Sequence, residues 1–386
     1  MFETEHTSCD LCGSNNLESV HKTNLCVDTE EKIWHDVFFV ICKNCGLIFE
    51  NPRMSLKSMK KFYSDENSAN MNFTFESRGK LARKEQFEFI KNFVSPNNKL
   101  LDIGGRDEEF VQFFDQMNCD VTILEPGPSL KNKSSKFRIM NDYYEDFEPK
   151  NKFDIISMRH VLEHTFSPTI FLEKAWKELS VGGKLFLEVP NSYKPGIQIV
   201  NYFIYYHTFN FTPISLESYL HKTGFKILKI QTDIPYRAIR IIAEKINSPH
   251  DYNIKNDYNS VKSVFDKYVT DRKSLIEKIN TKLNKISNEN IGIFGAGEHF
   301  IQLINSTTID IKKIKCFIDS DPKKQGKNFF GLLVNTPNFL KTNQLDTIII
   351  SSYTYQDEIE NIILKINPSI KIIKLYDEII AYDTYG

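Results

Sequence analysis

Short apolar runs alternate with longer mixed segments along most of the chain. Strand-sized runs that end in glycine, proline or an acid include 99-KLLDIG-104, 120-DVTILE-125, 153-FDIISM-158 and 184-KLFLEVP-190. Amphipathic stretches of helical period, such as 169-TIFLEKAWKEL-179, lie between them. This alternation predicts βαβ units on a parallel sheet over residues 76–245. A second alternating set starts at Asn290, with 290-NIGIFGAG-297, 314-IKCFIDSD-321, 346-DTIIISS-352 and 371-KIIKLYD-377, and predicts a smaller α/β unit over 290–386. Residues 246–289 between them are polar, with a weak helical period in 260-SVKSVFDKYVTDRKSLIEKINTKLNKI-286, and read as a loop followed by a linker helix. Residues 1–75 have a different pattern. Turns alternate there with short apolar runs such as 37-VFFVIC-42, and five of the seven cysteines fall in this region.

A chain of 386 residues exceeds one typical core, in keeping with these separate units. A formal net charge of −1 offers no broad surface for nucleic acid. No apolar run approaches the roughly 18–20 residues of a membrane span, and MFETEHTSCD has no signal-peptide apolar stretch. The expectation is therefore a cytoplasmic protein without membrane or nucleic-acid partners, whose cysteines are thiols or metal ligands. Nothing in the pattern specifies an oligomeric state.

The segments 9-CDLCG-13 and 42-CKNCG-46 are two C-x-x-C-G knuckles, 29 residues apart. Each can place two thiolates about one tetrahedral ion, and the following glycine eases the turn. Cys9, Cys12, Cys42 and Cys45 are accordingly read as a structural Zn2+ site, because four sulfur ligands suit zinc and leave no position for water. The plainer alternative is two pairs of free thiols. Cys26 is read as a spare thiol, and Cys119 and Cys316 as core residues.

The segment 98-NKLLDIGGRDEEFVQFF-114 reads as a strand, a glycine turn and a helix. A dinucleotide loop aims backbone N–H groups and a helix dipole at a pyrophosphate. Asp107, Glu108 and Glu109 would repel that ligand, while suiting the dipole of the helix itself. A nucleoside without phosphates and with a cationic tail fits better, and S-adenosylmethionine (SAM) is such a ligand. Asp102, Gly104, Gly105 and Asp107 would meet its methionine part. Glu125, 21 residues after Gly104, would accept both ribose hydroxyls. The alternative is a helix start stabilised by acids in a domain that has lost its ligand.

Three further segments carry a resemblance. 153-FDIISMRHVLEHTFSP-168 resembles the segment after the fourth strand of class I methyltransferases, 181-VGGKLFLEVPN-191 their glycine turn into the next strand, and 209-FNFTPISLESYLHKTGFKI-227 their closing tail. That resemblance implies an α/β fold with a class I methyltransferase Rossmann-like core. Asp142, in 141-NDYYEDF-147, lies near the family's adenine contact; His160 and Glu163 fall where the cofactor pocket is lined. His160 and His164 are four apart and could share a helix face, as metal-ligand pairs do, but V-L-E-H is common in methyltransferases that hold no metal. His164 is read as active-site wall or assisting base.

The order of the whole chain resembles the sugar C-methyltransferase family: a small N-terminal zinc-binding domain, the methyltransferase core, and a second Rossmann-like domain. The C-terminal signatures are 291-IGIFGAGEHF-300, 317-FIDSDPKKQGKNFFGLLVNTP-337 and 357-DEIENII-363. The resemblance implies a nucleotide-sugar acceptor, with Gly297, Glu298 and His299 near it. It also implies a base at His207, with Tyr206 or His164 assisting. One departure stands out. The family has a segment close to H-E-H where this chain has 205-YYH-207, so Tyr206 occupies the glutamate slot. A carbon acid needs a well-placed base, and the missing carboxylate brings O-methylation into view beside C-methylation. On its residues alone 295-GAGEH-299 is a weak dinucleotide loop, with Phe300 where a third glycine would help packing and Asp319 ending the next strand. Lys323, Lys324 and Lys327 could meet a diphosphate or form a solvated turn. A reading of another class is a non-catalytic binding protein on a decayed methyltransferase fold, motivated by Tyr206 and the irregular 104–109 turn.

Overall fold

The computed structural model describes residues 2–29, 33–64, 80–105, 108–127, 136–246, 252–287 and 290–377. Among these residues no helix is long and apolar enough to cross a membrane.

In chain order the strands are β1 (Thr4–Glu5), β2 (Leu17–Asp28), β3 (Ile33–Cys42), β4 (Ile48–Glu50), β5 (Arg53–Met54), β6 (Lys99–Ile103), β7 (Asp120–Leu124), β8 (Arg138–Met140), β9 (Phe153–Arg159), β10 (Leu179–Pro190), β11 (Phe209–Asn210), β12 (Phe225–Gln231) and β13 (Ala238–Lys245). The second α/β unit adds β14 (Ile291–Phe294), β15 (Ile314–Ile318), β16 (Asn328–Phe329), β17 (Leu332–Asn335), β18 (Thr347–Ile350) and β19 (Lys371–Lys374).

The central sheet runs β12-β13-β10-β9-β6-β7-β8. Strands β6 to β10 pair in parallel, and β13 is antiparallel to both of its neighbours. The buried strands read as continuous apolar runs because helices cover the faces of such a sheet. The exceptions are instructive. Asp102 on β6 is fully buried, sits opposite Ser157 of β9, accepts that hydroxyl's hydrogen bond, and pairs with Arg159 Nη2 at 2.9 Å. A second buried carboxylate, Glu188 on β10, takes Gln86 Nε2 at 2.7 Å, Arg240 Nε at 2.6 Å and the Tyr236 hydroxyl at 3.0 Å. These two acids fasten neighbouring strands beneath the sheet's C-terminal edge.

The N-terminal region forms a second sheet, in the order β11-β4-β3-β2. Its last strand comes from far along the chain: Phe209 and Asn210 pair with Phe49 and Ile48. The N-terminal sheet is therefore completed by the segment that follows His207. Glu50, opposite Thr208, is buried, and its Oε2 meets no hydrogen-bond partner among the described residues.

The helix expected within 246–289 is present, and it is packed along both halves of its length. Tyr258–Leu283 is a single helix of 26 residues with a buried stripe of Val261, Phe265, Tyr268, Arg272, Ile279 and Leu283. Its first half packs with Phe39, Phe203 and Tyr205, and its second half with Ile199 and the core of the second α/β unit. The weak period in the sequence reflects a stripe shared between two partners. Gly46, at φ +80°, lets the second cysteine knuckle abut the helix start, where a Cβ would lie 2.7 Å from the Asp257 carbonyl carbon. The last sheet runs β16-β17-β15-β14-β18-β19, parallel except for β16 against β17.

Two stability predictions arise here. Asp102→Ala strands the Arg159 guanidinium in the core and is expected to cost about 3–5 kcal/mol in urea unfolding; a loss under about 1 kcal/mol would mean that the pair does not fasten the sheet. Burial pushes the Glu50 carboxyl up from about 4.5 to about 8, against the opposing pull of Arg53. The folded state thus holds that proton more tightly than the unfolded one, a contribution present below about pH 4.5 and lost as the pH rises through 8. The advantage of Glu50→Gln over the parent is expected to grow between pH 5 and pH 8.5, by on the order of 2–4 kcal/mol. A difference that stays constant with pH would refute it.

Candidate active site

Strands β6 and β9 are neighbours, but the chain leaves them in opposite directions, to β7 on one side and β10 on the other. Connections that part in this way open a crevice at the C-terminal ends of the strands. Gly104 begins the turn after β6 at φ +69°, and a Cβ there would lie 2.5 Å from Val161 Cγ2. A Cβ on Gly105 would lie 2.6 Å from both Asp102 Oδ2 and Ile123 Cγ2. Both glycines are thus required by close approach. The helix after the turn starts only at Gln112 and spans Gln112–Asp115. The expected helix start at 108–109 is therefore not built, because residues 108–111 form turns first. Asp107 lies outside the described residues.

Over this edge lies a cavity of about 280 Å3. Its walls include Ile103 and Gly104 at the end of β6, Glu125 and Pro126 after β7, Tyr143, Tyr144 and Glu145, and His160, Val161, His164 and Thr165 after β9. Leu56, Met59 and Lys60 line it from the helix Leu56–Ser64. Sequence reasoning missed these three, although their i, i+3, i+4 spacing marks one helix face. The lysine is held: its Nζ lies 2.7 Å from Asp146, and its carbonyl accepts the Tyr143 hydroxyl at 3.0 Å. Glu125 Oε1 accepts the Gly127 N–H at 2.8 Å, which folds its carboxylate back over the turn. Burial pushes the Glu145 carboxyl above its ordinary range.

Three expected cofactor contacts are placed differently. Asp102 does not line the cavity, since its carboxylate is committed to Ser157 and Arg159; it props Gly105 from below. Asp142 is exposed, and the cavity is met instead by the three residues that follow it. Glu163 is buried behind the wall, which His160 and His164 form.

His160 has φ +55°, and the helical segment after it is a single short turn, Leu162–His164. His160 and His164 therefore share no helix face. The rings part: His160 Nδ1 faces Glu163 Oε1 at 3.1 Å and its Nε2 faces Glu188 Oε1 at 3.2 Å, while His164 Nδ1 meets the Tyr206 carbonyl. His164 and His207 have ring centroids 5.0 Å apart, and Tyr206 stacks obliquely 5.9 Å from His164. Glu163, His164 and His207 each bring a ligand atom within 4.8 Å of the others. Glu163 thus brings a buried carboxylate close to both imidazoles.

The cysteine unit holds this loop in place. Asp10, inside the first knuckle, accepts the Ser167 hydroxyl at 2.5 Å and the Thr169 N–H at 3.0 Å, at the start of the helix Pro168–Glu178. Arg53 donates to the Phe166 carbonyl and lies over its ring, 3.7 Å from the centroid. Glu50 N–H donates to the Thr208 carbonyl at 2.8 Å, beside His207. Within the unit, Cys9 and Cys45 Sγ atoms lie 3.5 Å apart and Cys12 and Cys42 Sγ atoms 3.4 Å apart, and the four converge within 4.8 Å. Hydrogen bonding among the thiols, led by Cys45, pushes Cys42 down to about 2; Cys9 in turn draws Cys12 down to about 7, while Cys9 and Cys45 are pushed up. Four thiols this close cannot all ionise without a cation among them.

The second glycine turn sits at the start of the helix Glu298–Ser306. Asp319 closes it, accepting the Ala296 N–H at 2.9 Å and Lys324 Nζ at 3.1 Å. Lys324 Nζ stands 3.5 Å from where a Cβ on Gly297 would lie. Burial raises the Glu298 carboxyl above its ordinary range and lowers the His299 imidazole to about 4, so His299 is neutral near pH 7.

Among solved structures the chain is similar to the 1,6-didemethyltoxoflavin-N1-methyltransferase of Burkholderia thailandensis, with 16% identity, over 58% of this chain and 99% of that one, at a TM-score of 0.40. It is also similar to an S-adenosylmethionine-dependent methyltransferase of Mesorhizobium loti (11% identity, 42% of this chain and 97% of that one, TM-score 0.35). A third is a SAM-dependent methyltransferase of Archaeoglobus fulgidus (18% identity, 44% and 95%, TM-score 0.37). No curated protein matches the chain. Residues 287–373 match the family model described as C2185-like, N-terminal. Residues 68–230 match the model described as a methyltransferase domain. Neither description mentions a sugar. The middle of this chain is thus a methyltransferase domain, and by that domain the chain is an enzyme of methyl transfer.

Proposed function

We propose that the chain transfers a methyl group from S-adenosylmethionine to a nucleotide-linked sugar or a related carbohydrate intermediate. The observation that carries the donor reading is the cavity at the end of β6 and β7. Glu125 and Glu145 stand on its wall, and its lysine is already paired with Asp146. Such a wall suits a ligand with cationic groups and no phosphate. SAM supplies a methyl group activated on a sulfonium, which an electron-rich atom of the acceptor can take.

This chain's residues would do the rest. Glu125 accepts hydrogen bonds from the ribose hydroxyls, as acids after the second strand do in related sheets. Gly104 lets the backbone approach the ligand, and His160 with Tyr143 to Glu145 closes the pocket around it. Asp102 acts from beneath by holding the turn. His207, beside His164, receives the proton that the acceptor's hydroxyl or carbon gives up, and Tyr206 steadies His164 through its carbonyl. Holding the acceptor in line with the donor accounts for most of what such an enzyme must add. Gly297, Glu298 and His299, with Lys324 close by, are assigned to the nucleotide part of the acceptor. The cysteine cluster fits structural zinc: thiolates bound at about 2.3 Å around a tetrahedral ion stand close to the separations found here.

Three experiments test these assignments. Calorimetric titration with S-adenosylhomocysteine is expected to show binding that Glu125→Ala weakens by about 10–100-fold, the loss of charged hydrogen bonds. His207→Ala should bind as the parent does, yet lose about 100-fold or more in methyl transfer to a panel of nucleotide sugars, followed by product mass. A folded parent that binds no S-adenosylhomocysteine would sink the proposal. Elemental analysis is expected to find one zinc per chain at this cluster, and Cys42→Ser to lose it together with several degrees of melting temperature. A zinc-free parent with an unchanged melting temperature would remove the metal from the account.

A further inference from the structure

We infer that Glu163, His164 and His207 form a site for a single divalent transition-metal cation at the edge of the cavity, separate from the four thiolates. The three side chains come from two segments, the turn after β9 and the loop before β11, and their ligand atoms lie within 4.8 Å of one another. His164 Nε2 and Glu163 Oε1 are 3.9 Å apart. Ligand atoms bound at about 2.1 Å to one ion stand roughly 3–4 Å apart, so small side-chain rotations complete the site.

The surroundings are those of a metal site. His164 directs Nδ1 at the Tyr206 carbonyl, which fixes the ring and turns Nε2 toward the carboxylate. Histidine ligands ordinarily have such a backing hydrogen bond on the second nitrogen. Glu163 is 99% buried, and His160 Nδ1 faces its Oε1 at 3.1 Å. Two imidazoles and one carboxylate select zinc, iron, manganese or cobalt over magnesium and calcium, which favour oxygen ligands. Three protein ligands leave coordination positions open. His164 is on the cavity wall, so an open position can face an acceptor.

The catalytic use of this site rests on the methyl-transfer reading; its existence does not. An acceptor hydroxyl bound to the cation ionises more readily and releases its proton to solvent. The resulting oxygen lone pair forms the new bond to the methyl carbon as the carbon–sulfur bond breaks, and its electron pair stays on sulfur. In the loaded protein the cation thus takes over the part assigned above to the His207 imidazole. An acceptor with two neighbouring oxygens, as in a vicinal diol or a hydroxyketone of a sugar, would chelate it.

The test is a cobalt(II) titration of the full chain after its thiolate site has been filled with zinc. One equivalent of cobalt is expected, with visible absorption of nitrogen and oxygen ligands and no near-ultraviolet thiolate-to-cobalt band. Glu163→Gln and His207→Ala should each weaken uptake by about 10–100-fold or more while keeping the parent's zinc content and melting temperature. X-ray absorption at the cobalt edge of the parent should report two imidazoles and no sulfur, which keeps the test decisive if a variant fails to fold. No uptake at millimolar cobalt, sulfur in the cobalt shell, or unchanged affinity in both variants would overturn the site. S-adenosylhomocysteine titration of the same samples reads the methyl-transfer proposal separately.

Discussion

The pairing of Ile48–Glu50 with Phe209–Asn210 is the contact on which the arrangement of the site depends. It is short, but it ties the N-terminal sheet to the segment that carries Tyr206 and His207. The Asp10 contacts at Ser167 and Thr169, and Arg53 at Phe166, tie the same unit to the other wall. The loops at the end of a parallel sheet are otherwise the least restrained part of such a fold, because the sheet fixes only where they begin. Here a body built around four converging cysteines grips two of those loops and brings His164 and His207 to 5.0 Å. The cysteine unit is thus a jig for the loops around this cleft.

Much of this was legible in the sequence, and the reasons differ from element to element. The central strands were plain because a strand buried on both faces is a continuous apolar run, and β6, β7, β9 and the core of β10 fell where those runs lie. The cysteine cluster was plain because two C-x-x-C turns constrain their own geometry locally. The site was only partly readable. Asp102 looked like a ligand contact because sequence shows an acid before a glycine turn, but not that Arg159, two strand positions past the opposite Ser157, claims it. Glu163 looked like pocket lining, whereas the unwound turn at His160 rotates it inward. Its approach to His207 joins residues 44 positions apart, and no local pattern encodes that meeting.

The helix Tyr258–Leu283 has a similar lesson. Its buried positions serve two different cores, with Phe265 and Tyr268 in one and Ile279 and Leu283 in the other. A stripe that changes partner halfway does not need one steady phase, so its period in the sequence is weak. Arg272 falls near the changeover and donates to the Ile199 carbonyl at 2.9 Å. The helix is a strut that fixes the spacing between the cysteine knuckle at its start and the second α/β unit at its end.

The interleaving of strands also bears on how the chain acquires its shape as it emerges during synthesis. β4 is made early, yet its partner β11 follows about 160 residues later, so the first sheet stays an open edge until most of the methyltransferase segment is available. The early product is a three-stranded meander whose last strand has one open edge, and that edge is covered only when the segment after His207 arrives. Cleavage at an apparent boundary near residue 75 would therefore yield a fragment with an exposed edge and a core lacking Phe209. In this chain the order of synthesis runs from the jig to the part it must hold, and the last stitch of the first sheet is also the first constraint on the loop carrying His207.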